Sequence, residues 1–369
     1  MNCTLAGQIA NKSKSDLKET YHILGVMSGT SLDGIDLADC LFELDKDSGW
    51  SFELKNTQTV EYPEEWSRRL RSAIHFSTGR LRTLDEEYTI YLAGVIRNFI
   101  SNNKIKGLDA VCSHGHTILH QPEKGLTLQI GNLPELAERI EQKVVCNFRV
   151  QDVKLGGQGA PLVPIGDKLL FSRFDFCLNL GGFANVSFES NGKRIAYDIC
   201  PVNIVLNNYA GMLGQAYDKD GELAAAGTIH SQLLVQLNGL AYYSSMPPKS
   251  LGLEWVQQHI FPLIDSFQLP PEDVIATFTA HIVHQLAAQF THNSKVLVTG
   301  GGAYNSFLIE RLRQHTTATI VIPDAQLVEY KEALIFGLLG VLRLRDEVNC
   351  LASVTGAKND HCSGYIYPA

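Results

Sequence analysis

The chain has 369 residues, of which 45% are hydrophobic and 19% charged, and its formal net charge is −8. A negative charge without a Lys/Arg cluster argues against nucleic-acid and anionic-membrane partners. No apolar run reaches the roughly 18–20 residues that cross a bilayer, and residues 1–20 lack the apolar segment of a secretory signal. We therefore expect a cytoplasmic protein of two domains, preceded by a polar N-terminal extension over residues 1–20.

The first half of the chain contains strand signals followed by helix signals. Apolar alternation predicts strands in YHILGVM (21–27), LADCLFEL (37–44) and SFELKNTQTVEY (51–62). Helices are predicted over Glu64–His75 and Asp85–Asn102, and a buried strand, LDAVCSH (108–114), then ends at a glycine.

The second half repeats this order. Strands are predicted in FDFCLNL (174–180), ANVSFES (184–190), KRIAYDI (193–199) and KVLVTGGG (295–302). Helices are predicted over residues 203 to about 213, 230 to about 240, 271 to about 291, 305–315 and 330 to about 345. Each half begins with a strand meander whose first turn is glycine-rich, which indicates two α/β domains, each with a mixed sheet, that face a cleft.

The eight cysteines are scattered along the chain, and none forms a CxxC pair. Several lie in strand-like apolar runs such as LDAVCSH and FDFCLNL. Buried free thiols explain this distribution better than disulfides or a zinc site.

Three glycine-rich turns each follow an apolar strand: SGTSLDG (28–34), LGGFANVS (180–187) and TGGGAYN (299–305). Glycines at a strand end let the backbone present amide groups to an anion, although one such turn alone is more often structural. The chain has no GxxxxGK[ST] and no GxGxxG, so P-loop and dinucleotide-binding folds are disfavoured. What remains is the pair of phosphate-binding hairpins used by sugar kinases, actin and Hsp70.

Eight motifs make the resemblance specific. The chain is similar to the anhydro-N-acetylmuramic acid kinases in LGVMSGTSLDGID, SHGHTILHQP, LQIGN, GGQGAPLVP, LNLGGFANVS, DKDG, PKSLG and VTGGGAYN, which follow that family's order. The resemblance implies an α/β fold of two ribonuclease H-like domains with an active site in the cleft between them. It further implies a first domain over residues 21–160, completed by 330–369, and a second over 161–329.

The implied activity is that of an ATP-dependent kinase of cell-wall (peptidoglycan) recycling and amino sugar metabolism. Such an enzyme opens 1,6-anhydro-N-acetylmuramic acid with water and phosphorylates O6, which gives N-acetylmuramate 6-phosphate and ADP. The reaction requires a base for the water and an in-line γ-phosphate, so ATP and Mg²⁺ are expected. Two alternatives stay open: a kinase of the same fold for another sugar or hydroxylated metabolite, and a non-catalytic nucleotide-binding protein.

Two carboxylates are the implied catalytic residues. Asp198, in RIAYDICPVN, matches the family's base. The structural alternative is that Asp198 ends a strand and caps the following helix. Glu332, in EYKEALIFG, matches the glutamate that opens the family's last helix, where the helix dipole alone would also favour it.

The sugar is expected to bind beside the GGQGAPLVP loop. Arg149 could bind the lactyl carboxylate through a bidentate fork, although a structural pair with Asp152 is equally compatible with the sequence. The remaining implied substrate ligands are His114, Gly157 and Gln158. His114, His116 and His120 also invite a metal interpretation, but LNLGGFAN supplies no further ligands, so we do not expect zinc there.

ATP is expected to bind the three glycine-rich turns, with Asp33 reaching Mg²⁺ through water and Asp36 shaping the first hairpin. The implied ATP ligands are Gly29, Thr30, Ser31, Leu32, Asp33, Gly34, Ile35, Asp36, Gly181, Gly182, Asn185, Gly300, Gly301 and Gly302. A homodimer is compatible with the sequence, which leaves the oligomeric state open.

The chain departs from the family pattern at four places. The turn after Asp198 reads ICPVN, where the family commonly has glycines at the positions of Cys200 and Val202. Three further positions, Asn147, Gln151 and Asp167, stand where aspartate, arginine and histidine are common. We expect these changes to affect contacts with the sugar rather than the phosphate turns or the base.

Overall fold

The structure is a computed structural model that describes residues 18–29 and 32–369. The described strands are β1 Thr20–Ser28, β2 Ile35–Asp45, β3 Gly49–Val60, β4 Ala110–Gln121, β5 Leu126–Ile130, β6 Val144–Cys146, β7 Phe176–Leu180, β8 Phe183–Ser190, β9 Lys193–Pro201, β10 Lys295–Thr299, β11 Thr319–Val321 and β12 Tyr365–Tyr367.

The described α-helices are α1 Glu64–Ser72, α2 Thr78–Asn102, α3 Glu135–Ile140, α4 Val150–Lys154, α5 Pro164–Leu170, α6 Asn203–Met212, α7 Glu222–Ala226, α8 Ser231–Asn238, α9 Ala241–Ser244, α10 Leu253–Trp255, α11 Phe261–Asp265, α12 Pro271–Ala287, α13 Ser306–His315, α14 Ala325–Leu344 and α15 Ala352–Thr355. Short 3₁₀ turns lie at Ala73–His75, Pro122–Lys124, Lys219–Gly221 and Gly301–Tyr304, and a π-turn at Val256–Ile260.

The strands form two sheets with the same topology. The first has the order β3-β2-β1-β4-β6-β12, with β5 paired to β4. The second has the order β9-β8-β7-β10-β11. In each, three antiparallel strands are followed by two strands parallel to the first one. This repeated order confirms the predicted fold of two ribonuclease H-like halves.

Helix α14 packs closely against the first sheet. A Cβ atom added to Gly25 of β1 would lie 2.0 Å from the Ala333 carbonyl oxygen, and one on Gly340 would lie 2.0 Å from Cys112 Sγ of β4. Glycine at both positions therefore permits the contact. Buried residues of α14 also share a core cluster with Cys177 and Leu297 of the second sheet, so this helix packs between the sheets.

Three predicted boundaries were wrong for identifiable reasons. Strand β4 continues through Gly115 to Gln121, because β5 pairs with its extension. Helix α2 begins at Thr78, seven residues before the predicted start. Helix α14 begins at Ala325 rather than 330, because the Asp324 carboxylate accepts a hydrogen bond of 2.8 Å from the Leu327 amide and caps it.

Two composition-based predictions can be compared with the described residues. Their seven cysteines are free thiols, as predicted, and Cys3 lies outside them. Within the same residues, no helix combines the length and hydropathy needed to cross a bilayer.

Candidate active site

The first glycine-rich turn joins β1 to β2. Ser28 pairs with Ile35 at the base of the hairpin, while Thr30 and Ser31 lie outside the described residues. Leu32 has a left-handed backbone with φ 64°, and its amide donates to the Gly29 carbonyl at 3.3 Å. The Asp33 side chain is exposed at the tip of this turn.

Glycine is required at one position of this hairpin. A Cβ atom on Gly34 would lie 2.6 Å from the Val60 carbonyl oxygen, so only glycine fits against the end of β3. Buried Ile35 and half-buried Asp36 then begin the returning strand.

A buried hydrogen-bond network supports the hairpin from below. Ser28 Oγ lies 2.6 Å from the Tyr62 hydroxyl and 2.7 Å from His116 Nδ1. The Tyr62 hydroxyl is also bonded to that of Tyr88. Burial lowers the pKa of His116 to about 4, so the ring is neutral at physiological pH. The base of the hairpin is therefore fixed by side chains from β4, α2 and the loop after β3.

The second and third turns lie side by side at the ends of β7 and β10. A Cβ atom on Gly300 would lie 2.6 Å from Asn179 Oδ1, and one on Gly302 would lie 2.8 Å from Leu180 Cβ. Gly301 instead faces open space. The outer two glycines thus permit close packing, and the middle one leaves room for a ligand.

The second turn is held by backbone contacts. The Gly182 carbonyl accepts a 2.8 Å hydrogen bond from the amide of Val202, and the Gly181 carbonyl accepts one of 3.3 Å from Asn203 at the start of α6. Gly182 and Asn185 are exposed beside them. These positions leave the outer surface of the turn accessible.

The first turns of α14 connect the first and third glycine-rich turns. Tyr304, next to the third turn, donates a 2.8 Å hydrogen bond to Glu329 Oε1. Thr59 Oγ1 donates to Asp36 Oδ1 at 2.6 Å and lies 3.3 Å from the Tyr330 hydroxyl. Burial raises the pKa of Asp36, the bond from Thr59 opposes this, and the negative charges of Asp33 and Glu329 add to it.

Glu332 lies in the middle of α14, so the alternative in which it is a first-turn residue favoured by the helix dipole is wrong. Its side chain is accessible to solvent, yet desolvation by the surrounding protein raises its pKa. The charge of Arg149 opposes that shift, and the charge of Asp36 adds to it. Glu332 therefore combines an accessible side chain with a pKa raised by the surrounding protein.

Arg149 is oriented by two hydrogen bonds. Its Nε–H donates to His114 Nε2 at 2.9 Å, and its NH1 donates to the Gly159 carbonyl at 2.7 Å. Since His114 Nε2 accepts, its Nδ1–H must donate to the Gly115 carbonyl, 2.8 Å away. Burial, together with the charge of Arg149, holds the pKa of His114 well below its usual range. Neutral His114 therefore holds Arg149 and has no ring nitrogen left for another ligand.

Asp152 is fully buried beneath the GGQGAP loop. Its Oδ2 accepts a 2.6 Å hydrogen bond from the Gly159 amide. A Cβ atom on Gly157 would lie 2.2 Å from the same oxygen, so glycine is needed there. The Gln158 side chain is exposed at the tip of the loop, and the backbone N–H of Gln158 donates to the Thr355 carbonyl at 2.8 Å. The Asp152 carboxylate bonds to the Gly159 amide. Among the described residues it forms no hydrogen bond or ion pair with the guanidinium of Arg149.

Asp198 lies at a bulge in β9. Asn185 of β8 pairs with Asp198 and Ala184 with Cys200, so Ile199 is the extra residue. Such a bulge changes the direction of the neighbouring side chains. Val202, at the start of α6, has no side-chain cap, so the alternative in which Asp198 caps that helix is wrong.

The segment from Tyr242 to Leu251 holds Asp198, and reasoning from individual residues missed it. The Leu251 amide donates to Asp198 Oδ2 at 2.8 Å, and the Tyr242 hydroxyl donates to the Asp198 carbonyl at 2.6 Å. Burial raises the pKa of Asp198, and the Leu251 amide opposes the rise. The PKSLG motif (248–252), which overlaps this segment, was the sequence feature that could have pointed to it.

Cys200, Val202 and Asp167, three of the positions that depart from the family pattern, are buried, whereas Asn147 is half-buried and Gln151 is exposed. Cys200 and Val202 are both fully buried in the core of the second sheet, and neither has a positive φ. Buried Asp167 forms an ion pair with Lys331 of α14 at 2.7 Å and accepts a hydrogen bond from Ser187 of β8. The pair joins α5 to α14, and the bond from Ser187 joins α5 to the second sheet, a structural role that the sequence did not indicate.

Comparison with known proteins identifies the family. The profile of the anhydro-N-acetylmuramic acid kinases matches residues 21–369. Proteins of that name from Francisella tularensis subsp. novicida and Pseudomonas syringae pv. syringae are each 33% identical to this chain, with alignments covering 95% of it and 99% and 100% of their own lengths. The gluconate kinase of Lactobacillus acidophilus is similar in structure, with a TM-score of 0.42, 11% identity and coverage of 95% of this chain and 94% of that one, too low to support an argument. On the sequence matches, this chain belongs to the anhydro-N-acetylmuramic acid kinase family.

Proposed function

We propose that this chain is an ATP-dependent kinase that opens 1,6-anhydro-N-acetylmuramic acid with water and phosphorylates its O6. The products are N-acetylmuramate 6-phosphate and ADP, in the recycling of cell-wall peptidoglycan. The observation that carries the proposal is family membership over residues 21–369. The carboxylates, the guanidinium and the accessible glycine-rich turns described above support it.

Asp198 is the proposed base. Its Oδ2 is held by the Leu251 amide, which leaves Oδ1 to take a proton from water as the water oxygen attacks the anomeric carbon. The bond from that carbon to O6 breaks, and O6 attacks the γ-phosphorus as ADP leaves. A pKa raised by burial improves the carboxylate as a base. Water attack opposite to the leaving oxygen resembles inverting glycoside hydrolysis.

Arg149 is the proposed ligand of the lactyl carboxylate. Its Nε and NH1 are already oriented by His114 and Gly159, so little side-chain entropy remains to be lost on binding. We propose that His114 acts through Arg149, while Asp152 and Gly157 shape the loop that presents Gln158 to the sugar. Glu332 neighbours this group and is proposed to face the reacting O6 and γ-phosphate.

The three glycine-rich turns are the proposed ATP site. Their accessible backbone, at Gly29, Gly182 and Gly301, suits phosphate oxygens. Asp33, Asp36 and Glu329 supply carboxylate oxygens that fit Mg²⁺, an ion that usually retains several waters in nucleotide sites. When bound, Mg²⁺ would neutralise charge on the phosphates.

A mass-resolved assay in ¹⁸O-water tests the proposal. Incubation with ATP and the anhydro sugar should give a phosphorylated product that carries one ¹⁸O at the anomeric position. Parallel incubations with glucose, gluconate and N-acetylglucosamine serve as controls. Faster phosphorylation of any of these would support the alternative sugar kinase, and ATP binding without product would support a non-catalytic protein.

A further inference from the structure

Three buried side chains outside the proposed reaction converge beneath the GGQGAP loop. Asp152, Cys350 and His361 are 0%, 1% and 6% exposed. Asp152 Oδ1 lies 3.1 Å from Cys350 Sγ and 3.6 Å from His361 Nε2. One ligand atom from each of the three residues lies within 4.8 Å of the other two. A carboxylate oxygen, a thiol and an imidazole nitrogen thus surround one point.

The imidazole is oriented for a ligand. His361 Nδ1 lies 3.1 Å from the Asn359 carbonyl, which can only accept, so Nδ1 carries the proton. Nε2 then presents a lone pair, and among the described residues it has no hydrogen-bond partner. A buried lone pair that faces a carboxylate oxygen is unfavourable unless a proton or a metal cation lies between them. A hydrogen bond from ring nitrogen to backbone carbonyl is also the usual arrangement behind a metal-binding histidine.

We propose that Asp152, Cys350 and His361 bind a divalent transition-metal ion of the zinc class. One sulfur, one nitrogen and one oxygen suit Zn²⁺ or Co²⁺ and do not suit Mg²⁺ or Ca²⁺, which take oxygen ligands. In tetrahedral zinc sites the bonds of about 2.0–2.3 Å place ligand atoms roughly 3.3–3.6 Å apart. Two of the observed separations, 3.1 and 3.6 Å, lie close to this range, and the third is within 4.8 Å.

A hydrogen bond within the cluster favours the neutral form of its thiol. Burial raises the pKa of the Cys350 thiol, and its hydrogen bond to Asp152 adds to the rise. The neutral thiol donates to Asp152 Oδ1, as does the Thr355 hydroxyl at 2.7 Å. Metal binding would release the thiol proton. It would also tie Asp152, and hence the Gly159 amide, to the C-terminal segment 350–361.

Cobalt titration of the full-length, reduced, untagged protein tests this site. We expect one equivalent of Co²⁺ to produce a thiolate-to-cobalt charge-transfer band and the intense visible bands of tetrahedral cobalt. Zn²⁺ should abolish both. The matched control is Cys362→Ser, because Cys362 is a neighbouring thiol that contacts Arg343 rather than the cluster. This variant should titrate like the natural protein.

Cys350→Ser and His361→Asn should weaken Co²⁺ binding at least 10-fold, and Cys350→Ser should lose the charge-transfer band, with far-UV circular dichroism unchanged. No stoichiometric band in the natural protein, or a band that survives Cys350→Ser, would overturn the proposal. X-ray absorption of the zinc-loaded natural protein gives an answer even where a variant does not fold. One sulfur among nitrogen and oxygen neighbours supports the site, and none or several sulfurs overturns it.

Discussion

The two sheets share one topology, but their first hairpins are supported in different ways. Beneath the first hairpin, the side chains of Ser28, Tyr62 and His116 form a buried network. Beneath the second, the amides of Val202 and Asn203 bond to glycine carbonyls. Backbone contacts tolerate many side chains, whereas a side-chain network depends on each member. The second hairpin can therefore accommodate the ICPVN turn without glycine, while the first should be sensitive to single substitutions.

The same contrast extends to charge. On the side of the first sheet, the charges of Arg149 and Asp36 shift the pKa of Glu332, and the charge of Glu332 shifts the pKa of Arg149. On the side of the second sheet, burial raises the pKa of Asp198 and the Leu251 amide lowers it, with no charged neighbour contributing. We infer that the first region mainly determines binding and the second supplies the base. The predictions below test this division.

Asp198→Asn should have the largest effect. Asparagine can still accept from the Leu251 amide but cannot take a proton, so turnover should fall by ~10²–10⁴ while ATP affinity is retained. Steady-state kinetics and calorimetric ATP titration measure the two quantities. Asp220→Asn is the matched control, since Asp220 is exposed and has a left-handed backbone that asparagine tolerates. Full turnover in Asp198→Asn would remove it from the role of base.

Arg149→Lys should mainly affect binding of the sugar. Lysine keeps the charge but loses the fork held by His114 and Gly159, so kcat/KM for the anhydro sugar should fall by roughly 10–100-fold, the value of a charged hydrogen bond. The effect should lie in KM. Arg139→Lys, at an exposed position, should change nothing. A loss confined to kcat would instead place Arg149 in the chemistry.

Much of the fold of the two regions could be predicted from the sequence, because it depends on local patterns. Strand alternation and strand-end glycines predicted both meanders, and the shared topology follows from that repeat. The motif match predicted Asp198 as the base and Arg149 as the sugar ligand, and both roles stay predictions. The environment of Asp198 depends on the long-range approach of Tyr242 and Leu251. The PKSLG motif marks that segment in the sequence, but it does not indicate that the Leu251 amide meets the Asp198 carboxylate.

The contacts that the sequence could not predict all join distant positions. The pair of Asp167 and Lys331 is separated by 164 positions, and neither residue lies in a pattern that indicates burial. The role of His114 was predicted as a substrate contact because the residue type suits one, whereas its tautomer and its partner Arg149 emerge only in three dimensions. The Asp152, Cys350 and His361 cluster has no metal-motif spacing, which explains why the cysteine pattern suggested thiols alone.

Each half contains buried histidine that is neutral at physiological pH, so acid should destabilise both. Burial lowers the pKa of His116 to about 4 and that of His281 to about 3, from 6.5. Below pH 6.5 the unfolded chain binds protons that the folded chain does not. The free energy of unfolding therefore decreases as the pH is lowered, and it is unaffected above about pH 7. At pH 5 the loss should be about 2 kcal/mol per histidine.

Urea unfolding at pH 7.5 and pH 5.0 measures this dependence. His281→Asn, in the second half, and His116→Asn, in the first, should each reduce the difference between the two pH values by about 2 kcal/mol. Exposed His75→Asn is the control and should leave the difference unchanged. If only one of the two buried substitutions reduces the pH difference, the histidine at the other position does not contribute to acid destabilisation. The two halves would then differ in their response to acid.

Tyr62→Phe gives the smallest effect and addresses the first hairpin alone. Removing the hydroxyl deprives Ser28 and Tyr88 of a shared partner, so the free energy of unfolding should fall by about 1–2 kcal/mol. Tyr91→Phe is matched to it, because Tyr91 belongs to the same aromatic cluster and its hydroxyl makes no hydrogen bond with the described residues. Its substitution should cost less than about 0.5 kcal/mol. Equal losses in the two variants would mean that aromatic packing, rather than the hydroxyl network, supports the hairpin. The first and second hairpins would then no longer differ in the way argued above, since both would depend on contacts that do not require a particular polar side chain.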